Sequence, residues 1–270
     1  MKMPKTLYVS DLDGTLLRRD QTLSAFTCDA INALVEKGML FSFATARSIV
    51  TSRKVAAGLV PQIPQIVYNG TFIVDQTGKR LWTRIFDPQD AQEILGLLLE
   101  AGVVPIVYSI INGAEKFSFD PARANAATID FNESRRGDPR QNYISKYEDL
   151  GEIFYFTCID TPERLGPLHE KLRGKYRCVY GKDIYSGEQW LEIVASTKAE
   201  AALELKKLFG CEKLVCFGDG KNDIPMFEIA DECYAVGNAD PALKAAATGV
   251  IGSNMDDGVA KWLLDHAETR

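Results

Sequence analysis

Asp11 and Asp13 stand two residues apart after an apolar run, Leu7-Tyr8-Val9, and Gly14 follows them. The run reads as a strand and the glycine as its breaker. A buried parallel strand that ends in Asp-x-Asp-Gly delivers both acids at its carboxyl tip, where open α/β sheets place their ligands. Two carboxylates at one tip repel, so a cation or a shared proton has to relieve them. A second acidic run, Gly218-Asp219-Gly220-Lys221-Asn222-Asp223, follows another apolar stretch at residues 214–217. Two such tips in one parallel sheet can be neighbours despite their distance in sequence. Oxygen ligands from Asp11 and Asp219, with Asp223 as a further candidate and no His or Cys nearby, favour Mg²⁺ over zinc. Thr45 ends a third apolar stretch, where its hydroxyl and the following N–H groups can hold phosphate oxygens. Lys198 opens a helix, a position the helix dipole disfavours for a cation, and an anion beside it would account for it. A lone Asp-x-Asp-Gly reads more readily as a turn or a calcium loop, but the place of Gly14 does not suit an EF-hand. For Asn222 and Asp223, helix capping is compatible with a functional role.

The elements that must position these residues alternate at both ends of the chain. Ser24 can cap a helix over 24–37 that Gly38 ends, and strands at 39–44 and 66–68 flank a helix at 49–58. This βαβαβ pattern predicts parallel strands with right-handed crossovers. The middle differs: a hairpin around Gln76-Thr77-Gly78, helices at 88–101 and 162–176, strands at 103–110, 116–119, 154–159, 178–180 and 190–194, and an irregular polar stretch at 121–143. Alternation resumes with helices at 197–209, 224–230, 241–247 and 258–266 and strands at 214–217 and 233–236. The fold class is α/β, a parallel-sheet core with helices on both faces and an inserted α+β domain. The core takes residues 1–81 and 187–270, and the insertion takes 82–186.

Length and composition allow this. The chain has 270 residues, 46% of them hydrophobic, enough to bury a sizeable core. A formal charge of −6 argues against nonspecific nucleic-acid binding, and the densest basic cluster, Arg135-Arg136 with Arg140, is short and reads as a solvated loop. Six cysteines without a Cys-x-x-Cys suit neither a zinc site nor a disulfide framework. His169 and His266 take no role, and Trp82 and Trp190 read as packing residues. Residues 1–5 lead straight into the first strand, so a cleaved signal peptide is not expected, and no apolar run approaches the roughly 20 residues that span a bilayer. The cytoplasm is the expected location, with no membrane partner; the sequence leaves the oligomeric state unread.

Asp11-Leu12-Asp13-Gly14-Thr15-Leu16, Thr45-Ala46-Arg47, Lys198 and the run from Gly218 to Asp223 together resemble, in order, the four motifs of the haloacid dehalogenase superfamily of aspartate-dependent phosphohydrolases. The large segment between the second and third motifs, with Asn69-Gly70 and Val236-Gly237-Asn238-Ala239, resembles the Cof-type branch, whose α/β cap is inserted there. The resemblance implies a Rossmann-like core and a Mg²⁺-dependent phosphatase. In that reading Asp11 is the nucleophile that becomes an aspartyl phosphate, and Asp13 is the general acid and base. Thr45 and Asn222 bind phosphate, and Lys198 neutralises charge and steadies Asp11. The Asp11 side chain, the Asp13 backbone carbonyl and Asp219 ligate Mg²⁺, with Asp223 a ligand or a support. Arg47 and Asn69 are candidate substrate contacts. Ala46, where glycine is common, and Ala199-Glu200 after Lys198 depart from the pattern, and Lys182 is a rival for Lys198 that lies too early in the chain. The implied substrate is a small phosphorylated metabolite, a sugar phosphate before pyridoxal phosphate or flavin mononucleotide. A phosphosugar mutase of the same branch and a silent phosphometabolite-binding protein are the alternatives.

Overall fold

The computed structural model describes residues 5–60, 63–183 and 185–269, so the leader reading of residues 1–4 lies outside the described residues. Chain order begins with β1 (Thr6–Ser10), α1 (Ala25–Glu36), β2 (Leu40–Phe43), α2 (Ile49–Val55) and three short strands, β3 (Gln65–Val67), β4 (Phe72–Val74) and β5 (Arg80–Thr83). It continues through α3 (Pro88–Glu100), β6 (Ile106–Ile111), β7 (Ala114–Phe119), α4 (Ala126–Glu133), β8 (Gln141–Tyr143), β9 (Glu152–Ile159), α5 (Pro162–Leu172), β10 (Arg177–Lys182) and β11 (Gln189–Val194). The last stretch is α6 (Lys198–Leu208), β12 (Lys213–Gly218), α7 (Ile224–Ile229), β13 (Glu232–Ala235), α8 (Pro241–Ala246), β14 (Gly249–Val250) and α9 (Gly258–His266). Two compact units result: Met1–Thr83 with Ser196–Arg270, and Arg84–Ala195.

The first unit is built on a parallel sheet in the order β14-β13-β12-β1-β2. Every residue of β1 is buried, which its continuous apolar run dictates for a central parallel strand. In α1, Ser24 caps the first turn by accepting the Thr27 N–H at 2.9 Å. Its buried Ile31, Leu34 and Val35, spaced three and four apart, face the same core as Leu7, Val9, Phe41 and Leu214. The expected third parallel strand of a βαβαβ unit is corrected: one parallel bridge, Ala44 to Ile66, survives. β3 instead pairs antiparallel with β4, and β4 with β5. Tyr68 (φ 51°), Asn69 (φ 51°) and Gly70 (φ 97°) all adopt positive φ and turn the chain straight back.

The second unit is a six-stranded sheet in the order β10-β11-β9-β6-β7-β8, antiparallel except where β7 meets β8. α3 and α5 cover one face, packing Ile94, Leu98, Leu165 and Leu168 against Val107, Phe156 and Leu191. β11 is hydrogen-bonded between β9 and β10, so the stretch from 187 to 195 belongs to this unit and not to the core that the sequence assigns it to. The stretch at 121–143 is not irregular throughout. It contains α4 and β8, and the low apolar content of α4 hides its period while Asn125 caps it by accepting the Thr128 N–H at 2.8 Å.

Gly70 shows how tightly the first unit closes. A Cβ at this position would sit 2.0 Å from the Thr197 carbonyl oxygen and 2.8 Å from the Lys198 nitrogen. Gly78 has a similar φ of 95° but its nearest neighbour would be 4.0 Å away. Both alanine substitutions carry the strain of positive φ, and only one carries the clash. Gly70→Ala is therefore expected to destabilise the protein by at least about 1 kcal/mol more than Gly78→Ala, as measured by urea unfolding.

Candidate active site

β1 lies between β12 and β2, and Ser10 is level with both Phe217 and Phe43. The residues just beyond these three therefore leave the sheet together: Asp11, the Gly218-Asp219 pair and the Ala44-Thr45 pair. Backbone bonds keep them in step, since the Asp11 N–H donates to the Phe217 carbonyl at 2.9 Å and the Ala44 N–H to the Ser10 carbonyl at 2.9 Å.

Lys198, the first residue of α6, is 2% exposed. Its Nζ donates to Asp11 Oδ1 at 2.6 Å and to Asp223 Oδ1 at 2.7 Å. The anion that a lysine at a helix start calls for is thus a pair of carboxylates from the protein itself. Burial works against the ammonium, but Asp11 and Asp223 outweigh it and hold its pKa above the ordinary 10.5. The other oxygen of Asp223, Oδ2, accepts the backbone N–H groups of Asp219 and Gly220, both at 3.1 Å. Asp219 Oδ1 accepts the Thr15 hydroxyl at 3.3 Å, and its Oδ2 lies 2.1 Å from where a Cβ on Gly14 would be.

Asp11, Asp219 and Asp223 each bring a carboxylate oxygen within 4.8 Å of the others. Three carboxylates against one ammonium leave two negative charges in a buried place. Burial pushes Asp11 well above its ordinary 3.8, with Lys198 opposing and the neighbouring acids adding to the rise. Asp219 is pushed up to about 7, by burial first and the Asp223 charge second. Acids that resist ionisation, an all-oxygen donor set and a two-charge deficit fit a hard divalent cation.

Asp13 does not share this cluster. Leu12 is fully buried and its carbonyl accepts the N–H groups of Thr15, Leu16 and Leu17, which turns the chain sharply after Asp11. Asp13 instead meets Arg47, whose Nε donates to Oδ2 at 2.8 Å and Nη2 to Oδ1 at 2.6 Å. Two protein cations stand beside these acids: Lys198 pairs with Asp11 and Arg47 with Asp13. Arg47 thus enters the site as the partner of an acid, and its Nη2 also donates to Gln21 Oε1 at 2.8 Å.

Thr45 is fully buried, and its Oγ1 accepts the Arg47 N–H at 3.1 Å. Asn69, also buried, accepts from Asn222 Nδ2 at 3.5 Å, so these two predicted residues meet. Arg135, Arg136 and Arg140 lie in the second unit, where Arg136 pairs with Glu133, and Arg140 with Glu115 at 2.7 Å and Asp138 at 2.6 Å. Thr15, Gln21 and Asn238 were not singled out by sequence. Asn238 Nδ2 donates to the Gly14 carbonyl at 2.7 Å and so braces the turn from the far end of the chain. Thr15 and Asn238 sit inside motif runs that the sequence displays, whereas Gln21 carries no local signal of contact.

Residues 8–263 match the haloacid dehalogenase-like hydrolase family, and the chain belongs to it. It is 30% identical to a 5-amino-6-(5-phospho-D-ribitylamino)uracil phosphatase of Bacillus subtilis, over 94% of this chain and 95% of that one. It is 25% identical to a pyridoxal phosphate phosphatase of Escherichia coli, over 95% and 96% of the two chains. The crystal structure of a protein from Thermotoga maritima superposes with a TM-score of 0.78 at 26% identity, covering 99% of each chain. A haloacid dehalogenase-like hydrolase from Bacillus subtilis shares the fold with a TM-score of 0.77 at 20% identity, over 97% of this chain and 99% of that one.

The raised acids give the cluster a definite pH response. Asp219 rises from 3.8 in the unfolded chain to about 7 in the folded one, so its contribution to stability is present below 3.8 and lost as pH climbs through 7. A divalent cation held by the cluster would replace the proton and restore what is lost. The gain in melting temperature on adding Mg²⁺ is therefore expected to be small near pH 5.5 and to grow through pH 7 to 8, as scanning calorimetry at fixed ionic strength would show. A gain that shrinks with rising pH would contradict the assignment.

Proposed function

We propose that this hydrolase is a Mg²⁺-dependent phosphatase that cleaves a small phosphorylated metabolite through an aspartyl phosphate on Asp11. The observation that carries the reading is the Asp11 carboxylate held at a strand tip by a buried ammonium, beside two further acids. An Asp11 oxygen bonds to phosphorus while the bond from phosphorus to the leaving oxygen breaks, and Asp13 gives that oxygen a proton. Asp13 then takes a proton from a water, whose oxygen attacks phosphorus and frees Asp11 and inorganic phosphate. Thr45 and Asn222 hold phosphate oxygens, and Lys198 balances charge and fixes Asp11. Asp11, the Asp13 carbonyl and Asp219 would hold Mg²⁺. Asp223 is the support, because one of its oxygens serves Lys198 and the other two backbone N–H groups. The ion supplies charge stabilisation on the transferring phosphoryl group.

The second unit, Arg84–Ala195, is assigned the selection of the leaving group, on its place in the chain between Arg47 and Lys198. Relatives named for a phosphorylated ribitylaminouracil and for pyridoxal phosphate support a substrate range that reaches past sugar phosphates to phosphorylated heterocycles.

Asp11→Asn is expected to lower turnover by at least about 10³-fold with an unchanged circular dichroism spectrum, since an amide is a poor nucleophile. EDTA should silence the wild type and Mg²⁺ restore it, with Ca²⁺ a poor substitute because of its larger and looser coordination shell. A panel of hexose phosphates, pyridoxal phosphate and flavin mononucleotide, assayed for released phosphate, identifies the substrate. An isomeric ester in place of free phosphate would mark a mutase instead.

A further inference from the structure

Arg47 makes its contacts in a way that a mere substrate ligand would not require. Its guanidinium meets both oxygens of Asp13, at 2.8 and 2.6 Å, through the side-on fork that only arginine can offer. The same Nη2 is backed by Gln21 Oε1 at 2.8 Å, and Gln21 itself holds a positive φ of 62°. The backbone of Arg47 is also pinned. Its N–H donates to Thr45 Oγ1 at 3.1 Å, and its carbonyl accepts the Tyr68 N–H at 3.0 Å. The Asn69 N–H donates to the Thr45 carbonyl at 2.9 Å. Tyr68 and Asn69 make these bonds from a left-handed backbone that side chains other than glycine rarely adopt. Strained turns on two sides thus converge on one arginine, and its side chain ends on the proposed acid and base.

We propose that Arg47 is the positioning residue of Asp13: its fork sets the plane of the carboxylate and keeps it out of the Asp11, Asp219 and Asp223 cluster, so that one oxygen can meet the leaving group. Each Asp13 oxygen keeps a second lone pair beyond the one that the fork occupies, and that second position is what meets the leaving group. Arg47 acts through Asp13, and its loss is felt only where the leaving oxygen needs a proton. The inference rests on the phosphatase reading given above.

The test compares kcat/KM on two esters, an alkyl phosphate such as glycerol phosphate and 2,4-dinitrophenyl phosphate, whose leaving group departs without a proton. The parameter reports steps up to the loss of the leaving group, so the later use of water does not enter. Arg47→Ala is expected to lower kcat/KM about 10²-fold on the alkyl ester and less than about threefold on the dinitrophenyl ester. Arg47→Lys, which keeps the charge and loses the fork, should show the same selective loss, and free guanidinium should restore part of the alkyl rate of Arg47→Ala. In an Asp13→Asn background, Arg47→Ala should cost nothing further on the alkyl ester. Equal losses on both esters, or losses that add to those of Asp13→Asn, would overturn the inference and leave Arg47 a substrate ligand. No loss on either ester would make the pair structural and overturn it as well. A wild type that hydrolyses neither of these esters nor any member of the panel above, with Mg²⁺ present, would bring down the phosphatase reading itself and this inference with it.

Discussion

Lys198 Nζ lies 2.6 Å from Asp11 and 2.7 Å from Asp223, with all three side chains almost wholly removed from solvent, and the rest of the site is arranged around that contact. Taking one ammonium and two carboxylates out of water costs several kcal/mol per ion, and only close pairing and further hydrogen bonds repay it. Asp223 obtains those bonds from the Asp219 and Gly220 amides, so the loop after β12 is shaped by the same carboxylate that holds the lysine. Burial first and the Asp223 charge second hold the proton of Asp219 to about pH 7, against the Thr15 hydroxyl, which favours the ionised form. A structure that concentrates negative charge in this way is stable when a cation completes it, and the same deficit makes the site receptive to one.

Close backbone approach is the second requirement. Gly14 leaves room for Asp219, Gly218 for Asp223 and Gly70 for the start of α6, and in each case a Cβ would fall at or below 2.6 Å from the neighbouring atom. These glycines are spread from one end of the chain to the other, yet each removes a methyl group from the same small region. Parallel pairing of β1 with β2 and β12 brings Gly14 and Gly218 there, because Ser10, Phe43 and Phe217 lie at one level, and the turn after β3 brings Gly70. Side-chain chemistry and backbone register are therefore one design. A shift of one residue in either pairing would turn Asp11 or Asp219 to the other face of the sheet.

The two acids of the first motif have separate electrostatic lives. Asp11 is buried with a lysine, while Asp13, with 23% of its side chain exposed, is held by an arginine from the loop after β2. The roles proposed for them, nucleophile for Asp11 and acid and base for Asp13, ask for different surroundings, since the first must stay ionised beside a cation and the second must reach solvent and the leaving group. The turn at Leu12 and Gly14 separates them within three residues.

Much of this was legible in the sequence, for reasons that lie in the residues. The strands at Leu7-Tyr8-Val9 and at 214–217 announce themselves by unbroken apolar runs, and acids placed directly after them can only emerge at a strand tip. Lys198 was detectable because a cation at a helix start contradicts the helix dipole unless an anion meets it. Short-range signals end there. The sequence could not show that β3 turns away from the parallel sheet, because three consecutive positive φ values at Tyr68, Asn69 and Gly70 are a product of packing against Thr45, Arg47 and the start of α6. Nor could it show that β11 belongs between β9 and β10, since strand pairing is decided by partners far away in sequence. The partner of Asp13 was hidden for the same reason: Arg47 is 34 residues away, and only the folding of the loop after β2 against the loop after β1 chooses it over any other cation. The types and order of the reactive groups were thus determined by the sequence alone, while the pairing of each charge was decided by the tertiary structure, because electrostatic and hydrogen-bond energies depend on distances that only long-range packing sets.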